Sequence, residues 1–268
     1  MPGLSLITLN IANPSVDRAT RQLEWLAARP EDVLVLTETK ASDGCRHLAD
    51  AFHTAGYAVT YPEPAPGEYG VMIVSKLATQ PDPIGDTLTY LPTRASGITI
   101  TTDCGPIRVL GAYVPSRDAS PEKVDRKRRW LAEFSTALAA TEMPTLLLGD
   151  LNVLEPDHQP HYRFFQPFEY DFYRALTDRH GLLDAFRQLH PDQVEHSWVG
   201  RTGDGYRYDH AHATKDLATE LVDCEYIHEP RLTRLSDHSA LTVRLTRSGT
   251  SPLLTSDPVE ATSPPTLF

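Results

Sequence analysis

Apolar and polar positions fall into two regimes along this chain. Leu4–Asn10 reads as a strand that opens the fold. Val33–Thr37 and Thr145–Gly149 are short apolar runs of the kind found in strands buried on both faces. Val16–Arg29 places apolar residues at 16, 19, 23, 26 and 27, a helical stripe. Cys45–Ala55 also reads as a helix, stopped by Gly56. Ser120-Pro121 opens a third helix, since Ser is a good N-cap and Pro suits the first helical position. Val124, Leu131, Phe134 and Leu138 form its buried stripe, and Asp171–His180 predicts a fourth helix. Further strands are expected at Tyr57–Tyr61, Gly70–Ser75, Ile98–Thr102, Ile107–Val114, Ser197-Trp198, Tyr206–His212, Cys224–Ile227 and Ala240–Leu245. Alternation of strand and helix mixed with paired strands predicts an α/β fold, two mixed sheets with helices outside.

The periodic pattern runs without a clean linker to residue 247, which predicts one domain over 1–247. From Ser248 to Phe268 the chain is rich in Ser, Thr and Pro and lacks periodicity, so a disordered tail is expected over 248–268. The hydrophobic share, 40%, is enough for a core that needs no staples. Three cysteines, Cys45, Cys104 and Cys224, form no CxxC pair. That argues against a disulfide framework or a cysteine-ligated zinc site, and points to a reducing, cytoplasmic location. No apolar run reaches the ~20 residues of a membrane span. The N-terminus lacks the basic, then apolar, pattern of a signal peptide. The net charge of −11 is not the footprint of a general polyanion binder, although an acidic metal cleft would account for part of it.

Residues able to do chemistry sit where the apolar runs end. Asn10 follows the first, Glu38 the second, Tyr113 the Ile107–Ala112 run, and Asp150 with Asn152 the Leu146–Leu148 run. Asp237-His238 precedes the last strand. Strand ends are where sites form in layered α/β folds. Singly, each could be a turn or a cap. Five polar strand ends spread over the chain are harder to read as unrelated turns.

The ordered set Leu9-Asn10-Ile11, Thr37-Glu38-Thr39-Lys40, Tyr69-Gly70-Val71, Gly111–Pro115, Gly149-Asp150-Leu151-Asn152, Ser197-Trp198, Tyr206–Asp209 and Ser236-Asp237-His238 resembles the endonuclease/exonuclease/phosphatase superfamily, nearest to its exonuclease III and AP-endonuclease branch. The resemblance spans residues 4 to 245 and implies a four-layered α/β sandwich that hydrolyses phosphate esters with Mg²⁺ or Mn²⁺. It implies Glu38 as principal metal ligand, with Asn10 and Asp237 completing the metal environment. It implies Asp150 as the base for the attacking water and Asn152 as its positioner. His238 would contact the phosphate, Asp209 would fix the His238 tautomer, and Tyr113 would donate to the phosphate. Trp198 is followed by Val199, where the branch carries a second aromatic residue beside the baseless sugar.

Those residue types suit the chemistry independently. Uncatalysed phosphodiester hydrolysis is so slow that roughly 20 kcal/mol of barrier must be removed. A hard cation on oxygen ligands, a carboxylate beside the water and a His held by a carboxylate supply that without a covalent nucleophile. No GxSxG or activated-Cys arrangement is present. DNA is the expected partner, with no protein partner and a monomeric state. The alternatives are a phosphatase or phosphodiesterase acting on a small or lipid phosphate, and a non-catalytic binding protein. The intact carboxylate and histidine set argues against the last.

Three other features are open at this stage. His210 and His212 alternate and share one strand face, read as solvent or site-rim histidines, with a second metal site as the alternative. Arg126–Arg129 reads as a solvated helix face or a phosphate-tracking patch. The aromatic-rich stretch Glu155–Tyr173 could stack on bases or pack on its own domain.

Overall fold

A computed structural model describes residues 3–139, 143–159, 162 and 164–261. Among these, fourteen strands follow in chain order: β1 Ser5–Asn10, β2 Val33–Thr39, β3 Ala58–Thr60, β4 Gly70–Ser75, β5 Thr79–Pro81, β6 Ala95–Thr102, β7 Gly105–Tyr113, β8 Thr145–Asp150, β9 Leu182–Asp184, β10 Trp198–Val199, β11 Gly205–Tyr206, β12 Asp209–Thr214, β13 Leu221–Ile227 and β14 Ala240–Leu245. The main helices are α1 Val16–Ala27, α2 Asp43–Thr54, α3 Pro121–Leu138 and α4 Pro167–Asp178. Two six-stranded mixed sheets have the orders β13-β14-β1-β2-β4-β3 and β5-β6-β7-β8-β12-β9, and β10 and β11 form a small hairpin.

Strand alternation builds the layers. Leu6, Val33, Val35, Val71 and Ile73 of the first sheet meet Ile98, Ile107, Val109, Leu146 and Leu148 of the second in a dry core between the sheets. The alternate residues Ile7, Leu9, Leu34 and Leu36 face Leu23 and Leu26 of α1 and Leu48 and Phe52 of α2. On the far side Leu110, Ala112 and Leu147 meet Trp130 and Phe134 of α3 and Phe172 and Leu176 of α4. The result is the four-layered α/β sandwich the sequence led us to expect. Helices α1 and α2 start as their sequences dictate, with the Ser15 and Ser42 hydroxyls each accepting a backbone N–H of the first turn.

Among the elements that differ from the sequence reading, two have a visible local cause. Helix α4 begins at Pro167, because Gln166 and Glu169 form a reciprocal capping box. The expected Tyr206–His212 strand is broken in two. The Ser197 hydroxyl accepts the backbone N–H groups of both Tyr208 and Asp209, at 3.0 Å each, so a side chain interrupts the ladder there.

The expectation of a disordered tail is corrected for residues 248–261. Thr250 N–H bonds the Thr101 carbonyl at 3.1 Å, Leu253 N–H the Lys76 carbonyl at 2.8 Å and Ser256 N–H the Ala55 carbonyl at 2.9 Å. Val259 and Ala261, in a last helical turn Pro258–Ala261, pack against the α1/α2 layer. Pairing by backbone hydrogen bonds needs no hydrophobic period. Residues 262–268 of that expected tail lie outside the described residues.

A buried ion network ties the segment after β8 to the second sheet. Glu155 accepts from Arg187 at 2.7 Å and from Arg207 at 2.9 Å, and Arg207 also donates to Asp184 at 2.7 Å. Burial opposes ionisation of Glu155, but hydrogen bonds and charge from Arg187 and Arg207 win and hold its pKa at about 2. Such a group contributes stability above its unfolded pKa of about 4.5, lost as pH falls through its folded value. Glu155→Gln should therefore cost about 3 kcal/mol at pH 7. The gap from wild type should close between pH 4.5 and about 2. Urea denaturation at a series of pH values measures it, and a gap independent of pH would reject the ionic reading.

Candidate active site

The topology brings the polar strand ends to one edge. Strands β1 and β2 run parallel, as do β7 and β8, so Asn10, Glu38, Tyr113 and Asp150 all lie at the same ends of their strands. Strands β12 and β14 run antiparallel to β8 and β1, which places the start of β12 at Asp150 and the residues before β14 near Asn10. Asp209 lies directly opposite Asp150 in the ladder.

Local backbone geometry aims these side chains. Gly149 has φ +142°, and a Cβ there would lie 2.1 Å from the Ala112 carbonyl oxygen, so only glycine fits before Asp150. Glu38 sits at a register shift of β2 with φ 60°, left-handed for a residue with a side chain. Such backbone costs about 1–3 kcal/mol and collects at functional sites. Asn152, at φ 47°, adopts the same region, which Asn tolerates.

Five of the eight residues expected from sequence gather here, as the bonded chain Glu38–Asn10–Asp150 with the bonded pair His238–Asp209 beside it. Asn10 is buried, and its Oδ1 accepts the Ala12 N–H at 2.9 Å. That fixes the amide, so Nδ2 donates to Glu38 Oε2 and to Asp150 Oδ2, both at 2.9 Å. His238 Nε2 stands 3.5 Å from the same nitrogen. His238 Nδ1–H donates to Asp209 Oδ2 at 2.6 Å. Glu38 is half-buried at the mouth of this chain, while Asp150 and Asp209 are buried.

The other three are placed differently. Asn152 caps Asp150 through its backbone N–H at 2.9 Å, and its side-chain amide is held by the Val114 carbonyl at 3.0 Å. Tyr113 pairs opposite Asp150, with its ring edge against Tyr69 and the Arg94 guanidinium over its face. Asp237 is exposed and accepts from Trp198 Nε1 at 3.1 Å, apart from the Asn10 chain of bonds.

Electrostatics separate the two central groups. Burial, with the Asp209 charge, raises the Asp150 pKa to about 7. Burial disfavours the His238 imidazolium, but the Asp209 charge and hydrogen bond prevail and raise its pKa to about 10. Burial, then the Glu38 and Asp150 charges, hold the Tyr113 hydroxyl protonated. A pair pushed apart in this way is a base beside a cation. The Glu38 and Asp150 oxygens are hard donors at a mouth that narrows onto buried acids, which fits a small divalent cation, whereas Asn10, expected to complete the metal environment, turns its Nδ2–H to those carboxylates and positions them instead.

Several supporting residues carried no role, or a different one, in the sequence reading. Ser236 Oγ donates to the Asn10 carbonyl and accepts the His238 N–H, linking both ends of the chain. Lys127 is not on a solvated or phosphate-tracking face. It is 1% exposed, donates to the Asn152 carbonyl, and pairs with Glu169 at 2.6 Å. Burial pushes its pKa down to about 8. Arg94, also buried, backs Tyr113, and nothing in its local sequence marks it. The aromatic stretch is divided. Phe165 and Tyr170 are buried, and Tyr162 and Phe164 pack beside them against Tyr206 and Tyr208. Tyr206 stacks on Tyr208 with centroids 5.4 Å apart, and Trp198, paired across from His238, lies 5.9 Å from Tyr206.

Known proteins share this fold. The sequence profile of the Endonuclease/Exonuclease/phosphatase family matches residues 7–238. No curated protein sequence matches the chain. Among solved structures it is similar to a 3′ phosphatase, NExo, from Neisseria bound to a product DNA hairpin. There the identity is 26% and the TM-score 0.75, with 90% of this chain and 99% of the other covered. It is equally similar to an AP endonuclease from Archaeoglobus fulgidus, at 25% identity, TM-score 0.75 and the same coverage. A 3′-5′ exonuclease from Neisseria meningitidis is 28% identical, with TM-score 0.74 and again 90% and 99% covered.

Proposed function

The chain belongs to the Endonuclease/Exonuclease/phosphatase family, and on that premise we propose that it is a Mg²⁺-dependent phosphodiesterase of DNA, a 3′→5′ exodeoxyribonuclease and/or AP endonuclease of the repair type. The observation that carries the reading is the single bonded chain Glu38–Asn10–Asp150 with His238–Asp209 beside it, a base and a held imidazolium facing one opening. The DNA substrate is supported by the three nuclease and 3′ phosphatase neighbours.

Glu38 would hold the divalent cation, Mg²⁺ or Mn²⁺, its carboxylate oriented by Asn10 Nδ2–H, with Asp237, in part through water, at the same opening. Bound there, the ion supplies Lewis acidity and neutralises charge on the phosphate. Asp150, ionised, takes the proton of the attacking water. Asn152, its amide fixed by Val114, positions that water. His238, kept as imidazolium by Asp209, donates from Nε2 to a phosphate oxygen. Tyr113 keeps its proton and donates to another. Trp198 and Tyr206 offer an aromatic wall beside the scissile bond. A groove next to Asp237 is lined by Arg18, Arg231 and Arg234, a local basic rim on an acidic chain. No helix among the described residues is long and apolar enough to cross a membrane. Free Cys45, Cys104 and Cys224 accord with a reducing, cytoplasmic location, where we expect the chain to act as a monomer. A second reading, hydrolysis of a small phosphate ester, is favoured by the net charge of −11.

Cleavage of an end-labelled duplex carrying one abasic analogue, beside an intact duplex, with Mg²⁺ or EDTA, decides between them. Metal-dependent incision or 3′ shortening is expected, with activity falling steeply as salt rises. Cleavage of neither duplex by folded, metal-supplied protein would transfer the reading to small esters.

The ligand role of Glu38 has its own test. Glu38→Gln should raise the half-saturating Mg²⁺ concentration at least about tenfold, since loss of outer partners alone costs about 10–100-fold. An unchanged Mg²⁺ titration would remove Glu38 from the ligand set.

A further inference from the structure

A second polar cluster lies on the outer face of the second sheet, unused by the chemistry above. Ala211 and Ala213 of β12 face the core between the sheets, so His210 and His212 project the other way. There the Tyr173 ring of α4 packs edge-on against both, at 5.5 and 5.6 Å. Both histidines are fully buried, which corrects their reading as solvent or rim residues. Their alternation was legible, but not the helix that covers them.

Each histidine commits one ring nitrogen to the backbone. His210 Nε2–H donates to the Val153 carbonyl at 3.1 Å, and His212 Nδ1–H to the Leu182 carbonyl at 3.3 Å. In the neutral rings this leaves a lone pair on His210 Nδ1 and on His212 Nε2, and neither atom makes a hydrogen bond. Both converge with the Asp184 carboxylate. The three ligand atoms lie within 4.8 Å of one another, and His210 Nδ1 is 3.7 Å from Asp184 Oδ2. Two lone pairs facing a carboxylate repel unless a proton or cation lies among them. Histidines that ligate metals are oriented in this way, their outer nitrogen held by a backbone carbonyl. Asp184 is braced as ligating carboxylates are, by the Tyr173 hydroxyl and Arg207, both at 2.7 Å.

We propose that Asp184, His210 and His212 form a second, structural metal site for a divalent cation of the zinc class. Two imidazoles and one carboxylate favour Zn²⁺ or Co²⁺ over Mg²⁺, which prefers oxygen. The ion would tie β9 to β12 directly behind Asp209. Glu155 and Asp184 already balance Arg187 and Arg207. The cation therefore meets no further carboxylate and binds more weakly than in a site with two, so the experiment supplies metal rather than seeking metal retained through purification.

Full-length protein is stripped with chelator, incubated with Zn²⁺ in excess Mg²⁺, gel-filtered and analysed for metal. The same is done for Glu38→Gln, which removes the principal catalytic-site ligand. A stoichiometric zinc in both proteins, a raised Tm, and loss of that zinc in His212→Gln are expected. Should His212→Gln fail to fold, Co²⁺ added to Glu38→Gln must give the visible bands of a four-coordinate nitrogen and oxygen site. Absence of zinc from Glu38→Gln, full zinc in a folded His212→Gln, or a crystal structure of the zinc-soaked protein with water bridging the two histidines would each overturn the proposal. All readouts are independent of the nuclease activity.

Discussion

Asp150→Asn should lose at least about 10³-fold in turnover and, without divalent cations, unfold at a higher temperature than wild type at pH 8. Both effects follow from its burial. The carboxylate is 1% exposed and faces Asp209 across the ladder, so its pKa is raised to about 7. A group whose folded pKa lies above its unfolded value of about 3.8 binds more protons in the folded state. Stability then falls with rising pH between those values, and the whole cost is present above about 7. Asparagine keeps the shape and removes the charge. Its Tm advantage should therefore shrink as pH falls and vanish below about 3.8, where both states are protonated in wild type. Residual activity above a few per cent of wild type would reject Asp150 as the base. A Tm below wild type at pH 8 would show that the carboxylate helps hold the fold, contrary to its raised pKa.

What could be read from the sequence follows from where local physics suffices. Asn10, Glu38 and Asp150 were legible because each ends an apolar strand, and sheets of this kind collect such ends along one edge. Helix α1 was legible through its apolar stripe and α2 through its stop at Gly56, while the Ser15 and Ser42 caps emerged only with the structure. What failed depended on distant partners. Lys127 sits in a basic run, and the Asn152 carbonyl and Glu169, far along the chain, hold it inward. The strand break before Asp209 needs the Ser197 hydroxyl, and the ordered 248–261 segment needs the carbonyls of Ala55, Lys76 and Thr101. Asp237 matched the motif, yet its carboxylate is engaged by Trp198 at 3.1 Å, a contact that sequence cannot show.

His238→Ala should lower kcat by about 10²–10³, the usual cost of removing one preorganised donor from a developing charge. Its effect should not add to that of Asp209→Asn, because in the proposed mechanism Asp209 acts only through the ring, which it holds by Nδ1–H to Oδ2 at 2.6 Å. The double variant should therefore match His238→Ala. The pH profile separates the two roles. Imidazolium is present below the ring's pKa, so activity that needs it should fall as pH rises through about 10. Asp209→Asn removes the neighbouring charge that raises this value, and should move the alkaline limb downward toward the ordinary range of about 6.5. Losses that add in the double variant, or an alkaline limb that stays in place in Asp209→Asn, would show that Asp209 acts on the substrate by a route other than His238.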